Sequence, residues 1–286
     1  MQALETAPLI AFKNILYPTD FSRAAESALP FAIEVARMFG SRVTAVHVRP
    51  PDVAARSSPL SVAYPTDRLR CKLAAVEHEC LVGEGEVWDF LAQVICEREI
   101  DLVVVGTRGK TGLEKFMLGS VAEVIFRQAD CPVLAIGPRV PDGSDRGWKI
   151  RNIVWATDFT SESLASAPLA FALVRERQAR LTLLNVLERP ATEALVDPQR
   201  YIDSTVRMLQ HQVPKGMNEE CRLQYEVREG VPSEEILKAA HELGADLVVL
   251  GVRPAAGRLG IAAHLARPTA HRVVCKASCP VLAVRG

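Results

Sequence analysis

Asp101-Leu102-Val103-Val104-Val105-Gly106-Thr107-Arg108-Gly109-Lys110-Thr111-Gly112, running on through Leu118 to Gly119-Ser120-Val121, is the stretch that decides how this chain folds. Leu102 to Val105 is wholly apolar and valine-rich, which reads as a strand buried on both faces. The glycines after it free the backbone to turn and to come close to an anion. The stretch then enters a helix over Val121 to Gln128, whose first N–H groups have no partner within the helix and favour negative charge. Ser120 adds a hydroxyl, and Arg108 and Lys110 add positive charge. Strand, glycine-rich loop and helix in that order belong to open parallel sheets, which bind ligands beyond the carboxyl ends of their strands. Two well-known phosphate loops are excluded by spacing. A P-loop needs glycine at position 104, where Val104 stands, and the dinucleotide fingerprint needs glycine at position 108, where Arg108 stands.

Outward from this stretch, strands and helices alternate. Asn14 to Pro18 is a short strand, and Ser22 is placed to cap a helix running to about Phe39. Ala25, Ala28, Leu29, Ala32, Val35 and Ala36 follow the helical period. Pro30 is expected to kink this helix, and Gly40 ends it. Val43 to Val48 reads as the second strand, and Pro50 to Val76 as a loop and a helix. A short strand near Glu79 to Val82, a helix from Glu86 to Arg98 and a last strand from Pro132 to Ile136 complete the set. The pattern then returns. Lys13-Asn14-Ile15-Leu16-Tyr17-Pro18-Thr19-Asp20-Phe21-Ser22 reappears as Arg151-Asn152-Ile153-Val154-Trp155-Ala156-Thr157-Asp158-Phe159-Thr160. Asp101 to Gly106 reappears as Asp246 to Gly251, and Cys131-Pro132-Val133-Leu134-Ala135 as Cys279-Pro280-Val281-Leu282-Ala283. The expected fold class is α/β: two tandem Rossmann-like domains, each a five-stranded parallel sheet with helices on both faces. They span residues 8–138 and 149–286, and Pro138 to Trp148 reads as the linker. In the first domain Thr19, Asp20, Val48 and the backbone from Gly106 onward are expected to converge.

Composition agrees with two ordinary cores. The 286 residues divide by roughly 150 per domain into about two. With 49% hydrophobic and 24% charged residues, disorder of the whole chain is excluded. Lys plus Arg and Asp plus Glu each number 34, so the basic excess expected of a nucleic-acid or polybasic membrane surface is missing. No apolar run reaches the roughly 18 residues of a membrane span, and Met1 to Pro8 lacks a secretory pattern. Seven scattered cysteines fit reduced thiols and a cytoplasmic location.

The spacing Gly106-x2-Gly109-x9-Gly119-Ser120 resembles the ATP-binding signature of the universal stress protein family. Tyr17 to Ser22 resembles its opening strand and turn, and Cys131 to Leu134 its closing strand. The similarity runs through both copies and covers nearly the whole chain. It implies ATP as ligand. Asp20, flanked by Pro18 and Thr19, would bond adenine or ribose, and Val48 would meet the adenine edge. Val105, Gly106, Arg108 and Gly109 would hold ribose and phosphates, with Gly119, Ser120 and Val121 on the terminal phosphates. Asp20 is the one carboxylate placed to support a Mg2+–phosphate complex. The resemblance also implies a pseudo-dimer of the two domains, with the Ile136 and Val284 strands at the seam, and leaves room for a homodimer of whole chains.

The second copy departs from the signature. Counted from Gly251, the second glycine falls on Pro254 and the Gly-Ser pair on His264 and Leu265. Proline has no N–H and a fixed φ, so only the first domain is expected to take ATP. His271 and Cys275, four apart with His264 and Cys279 nearby, have zinc-ligand chemistry but no paired C-x-x-C, and buried thiols with a surface histidine are the simpler reading. His47 reads as a satisfied core histidine, and Cys131 and Cys279 as small buried hydrophobes. No catalytic constellation stands out. The expected function is a nucleotide-dependent stress-response or signalling module with unidentified protein partners. A nucleotide-using enzyme and a ligand-free scaffold are the alternatives.

Overall fold

A computed structural model of the chain describes residues 12–49, 60–107, 118–141, 147–188, 198–252 and 269–286. The chain divides into two compact units, one formed by Ala11–Trp148 and the other built on Lys149–Gly286.

The first unit contains β1 (Asn14–Pro18), α1 (Arg23–Phe39), β2 (Arg42–Arg49), α2 (Leu60–Leu73), β3 (His78–Glu84), α3 (Val87–Glu97), β4 (Leu102–Gly106), α4 (Ser120–Gln128) and β5 (Val133–Ile136). Its strands lie in the order β3-β2-β1-β4-β5, every neighbouring pair parallel. Leu16, Val103 and Val104 are completely buried at the centre, as the uninterrupted apolar strands require. Because β1 lies between β2 and β4, the chain reverses its direction of travel across the sheet there. Right-handed crossovers then put α1 and α2 on one face and α3 and α4 on the other. The crevice of this switch point opens at the carboxyl ends of β1 and β4.

The second unit repeats the order as β8-β7-β6-β9-β10, again parallel throughout. Its elements are β6 (Asn152–Ala156), α5 (Ser161–Leu164), α6 (Ala167–Arg177), β7 (Arg180–Leu187), α7 (Pro198–Gln212), α8 (Met217–Glu220), β8 (Arg222–Glu229), α9 (Pro232–Glu242), β9 (Leu247–Val252), α10 (Thr269–Lys276) and β10 (Val281–Arg285).

The prolines at equivalent repeat positions have different consequences. Helix α1 runs unbroken through Pro30 to a left-handed cap at Gly40. In the second unit the same stretch splits into α5 and α6, with Pro168 in the first turn of α6, where its missing N–H costs nothing. The buried aromatic on the preceding strand differs too. The Tyr17 hydroxyl donates to Ala25 O at 2.7 Å. Trp155 stands in its place, and its indole N–H donates to Ser166 Oγ at 2.9 Å, which itself donates to Ser163 O at 2.6 Å.

Candidate functional site

The site begins with a turn that builds itself from its own side chains. After β1 the chain is tied to β2, Thr19 N–H donating to Val46 O at 2.8 Å. Phe21 then takes a positive φ of 57°, a region that L-residues seldom enter. Two short bonds hold it there. Thr19 Oγ1 accepts from Phe21 N–H at 3.0 Å, and Asp20 Oδ1 accepts from Ser22 N–H at 2.8 Å. Ser22 Oγ in turn caps α1 through Ala25 N–H, as its residue type favours. The second unit repeats the turn. Phe159 has a φ of 63°, Thr157 Oγ1 accepts from Phe159 N–H, and Asp158 Oδ1 accepts from both the N–H and the hydroxyl of Thr160. Burial alone would raise the Asp158 carboxyl. Hydrogen bonds from Thr160 and Ser163 outweigh it and hold the group below its ordinary range.

The glycine that ends β4 has a packing reason. A Cβ on Gly106 would overlap the carbonyl oxygen of Ala24 at the start of α1, and one on Gly251 would overlap that of Glu162. The two positions therefore need glycine whether or not a ligand is bound. Beyond Gly106, Thr107 N–H donates to Ile136 O, and Thr107 O accepts from Gly119 N–H at 2.8 Å. The strand end and the start of α4 are thus drawn together. Gly119 is the N-cap of α4 and offers no capping side chain. Ser120 is exposed and Val121 half-buried beside it.

Of the expected site residues, Pro18, Thr19, Asp20, Val48, Val105 and Gly106 all lie at or just past the carboxyl ends of three adjacent strands. Gly119, Ser120 and Val121 are brought to the same edge by the Thr107–Gly119 bond. Arg108 and Gly109 lie outside the described residues. The convergence is drawn fully in the second unit. There a cleft of about 190 Å³ is lined by Ala156, Thr157, Asp158, Val186 and Gly251, the counterparts of the first unit's strand-end residues, and by Thr269 of α10, among others. The floor is apolar, from Leu184, Leu250 and Ile236, and Asp158, Glu162 and Glu188 stand around it. By repeat position the sequence of the first unit has Asp20, Ala24 and Pro50 against these three acids, and Pro50 lies outside the described residues.

Pro254, His264 and Leu265 lie outside the described residues. The described part of the closing helix α10 is Thr269–Lys276, against Ser120–Gln128 for α4. Cys275 Sγ and His271 Nδ1 do approach each other, at 4.0 Å, yet among the described residues no three His, Cys, Asp or Glu side chains form a metal-binding group. Cys279 is buried as expected, whereas Cys131 is half-buried. No described helix is long and apolar enough to cross a membrane.

Sequence reasoning missed two participants. Thr107 joins the strand end to the helix cap, and His47 hydrogen-bonds Thr19 O through Nδ1 at 2.8 Å. Only the register of β1 on β2, which sets His47 one residue beyond the partner of Pro18, shows the second.

Fold and site together define a tandem pair of open parallel α/β domains, each with a strand-end crevice bounded by an Asp-bearing turn and a glycine-ended strand. More particularly, the chain belongs to the universal stress protein family, whose model matches residues 11–137 and again residues 149–285. It is 33% identical over 140 residues to a universal stress protein of Methanocaldococcus jannaschii, covering 44% of this chain and 82% of that protein. It is 26% identical over 146 residues to universal stress protein YxiE of Bacillus subtilis, covering 44% of this chain and 99% of that one. The whole tandem fold is matched by a universal stress protein from Archaeoglobus fulgidus, with a TM-score of 0.67 at 17% identity, covering 96% of this chain and 99% of that chain.

Proposed function

We propose that this protein is an ATP-binding stress-response or signalling module, with one competent site per chain, in the first unit. The observation that carries the reading is the closure of the glycine loop's ends. Thr107 O takes the Gly119 N–H, so the uncapped start of α4 stands beside the end of β4 and the Asp20 turn. Free N–H groups at a helix start attract phosphate, and a carboxylate such as Asp20 can accept from ribose or adenine. Pro18, Thr19, Val48, Val105, Gly106, Arg108, Gly109, Ser120 and Val121 would complete the contacts, with Mg2+ on the phosphates. Asp158, Glu162 and Glu188 around the second cleft oppose a triphosphate by charge, which favours a single site. Nucleotide occupancy would then set which protein partner the chain engages.

Calorimetric titration of ATP with Mg2+ tests this, beside a Gly109→Pro variant that copies the second unit's Pro254. One ATP per chain, lost in the variant, is the expected result. Two per chain would overturn the single-site assignment, and no binding at millimolar ATP would overturn the function. Product analysis after incubation with ATP separates binding from turnover.

A further inference from the structure

Both backbone groups of Thr19 are engaged by β2. Its N–H donates to Val46 O, and its carbonyl meets His47 Nδ1, each at 2.8 Å. A carbonyl only accepts, so the hydrogen sits on Nδ1 of the imidazole. The His47 ring also packs on Phe21, centroids 4.6 Å apart at 44°. In the second unit Thr157 N–H donates to Leu184 O at 3.0 Å, and Asn185 occupies the equivalent place on β7. Its Nδ2 donates to Thr157 O at 2.8 Å. Imidazole and carboxamide differ in shape, size and titration, and they share an N–H presented at the same reach. Among the described residues the buried Oδ1 of Asn185 has no partner, while its Nδ2 makes the bond to the turn.

We infer that His47 is a positioning residue for the nucleotide site of the first unit: its N–H fixes Thr19 O and so holds the turn that presents Asp20. The inference rests on the ATP reading above. The turn needs such a brace because Phe21 sits at positive φ, which costs free energy unless the surroundings hold it. Thr19 Oγ1 and Asp20 Oδ1 fix the turn from within. His47 fixes it to the sheet. Without that donor a part-buried carbonyl is left unpaired, Phe21 can relax, and Asp20 loses its direction.

The test uses the full chain with His47→Asn, which copies the second unit, and His47→Leu, which fills similar space without a donor. ATP affinity with Mg2+ is measured by calorimetry, and the exchange of the Phe21 and Ser22 amide hydrogens by NMR. His47→Asn is expected to bind within about threefold of wild type. His47→Leu is expected to bind about tenfold more weakly, with Phe21 and Ser22 exchanging about tenfold faster. Amides at the centre of β1 and β2 should be unchanged. Wild-type affinity and exchange in His47→Leu would overturn the inference, as would a folded His47→Asn that fails alongside it. Should His47→Leu not fold, His47→Met supplies the donorless comparison. If wild type binds no ATP, the nucleotide reading falls, and exchange alone decides whether His47 holds the turn.

Discussion

Gly106 looked in the sequence like a place where backbone meets phosphate, and in the fold it is first a place where backbone meets backbone. The start of α1 presses on the end of β4, and α5 on the end of β9, contacts between segments about 80 to 90 residues apart that no local pattern announces. Gly106→Ala and Gly251→Ala should each destabilise the chain by about 1–3 kcal/mol, read as a lower urea midpoint, whether or not nucleotide is present. An equal loss at both positions identifies packing as the cause. Asn185 gives a second test at this scale. Asn185→Asp replaces the donor to Thr157 O with an oxygen and buries a charge. About 3 kcal/mol should be lost at pH 7. Burial raises the folded-state pKa of such a carboxyl, so the loss should shrink as pH falls and the acid takes up a proton. Urea melts at pH 7 and pH 5 show whether it does. The role of His47 was illegible for a related reason. A histidine inside an apolar strand reads as core, and only the parallel register reveals the carbonyl it meets.

At the scale of elements, far more was legible. Valine- and leucine-rich runs gave the strands, the helical period gave α1 with its serine cap and glycine stop, and alternation gave a parallel sheet. What escaped was the break in the second copy, since Pro30 and Pro168 occupy equivalent repeat positions. The difference lies in their neighbours. Trp155 is larger than Tyr17, and its N–H is met by Ser166, where the first unit has Ala28. That serine marks the start of α6, so the proline after it falls in a first turn rather than an interior. Removing each proline should therefore have unequal effects. Pro30→Ala should stabilise the first unit by about 1–3 kcal/mol by restoring an interior helical N–H. Pro168→Ala should change stability by less than about 1 kcal/mol. Thermal and denaturant unfolding of the two variants measure the contrast.

For the whole molecule, the odd cysteine count pointed to thiols, and no disulfide joins any of the seven. Their environments differ sharply. Cys71 and Cys96 are exposed, whereas burial, with a smaller contribution from Asp246, pushes the Cys279 thiol up to about 12. A thiol reagent at pH 8 should modify Cys71 and Cys96 in the native protein and reach Cys279 only after unfolding; mass spectrometry of partly labelled chains identifies the sites. Linkage carries the sign: a thiol whose folded-state pKa is raised lends stability that is intact below its ordinary 9.0 and is lost as pH climbs toward about 12. A last consequence follows from the hydrogen bond between Thr107 O and Gly119 N–H. It makes the glycine-rich loop a cassette clipped shut at its base, whose contents can be lengthened or exchanged at small entropic cost while the sheet beneath stays intact. A duplicated gene is then free to rewrite one cassette and keep its scaffold. An engineer can run the change backwards, splicing residues 107–119 between β9 and α10 to ask the second unit for a nucleotide site of its own.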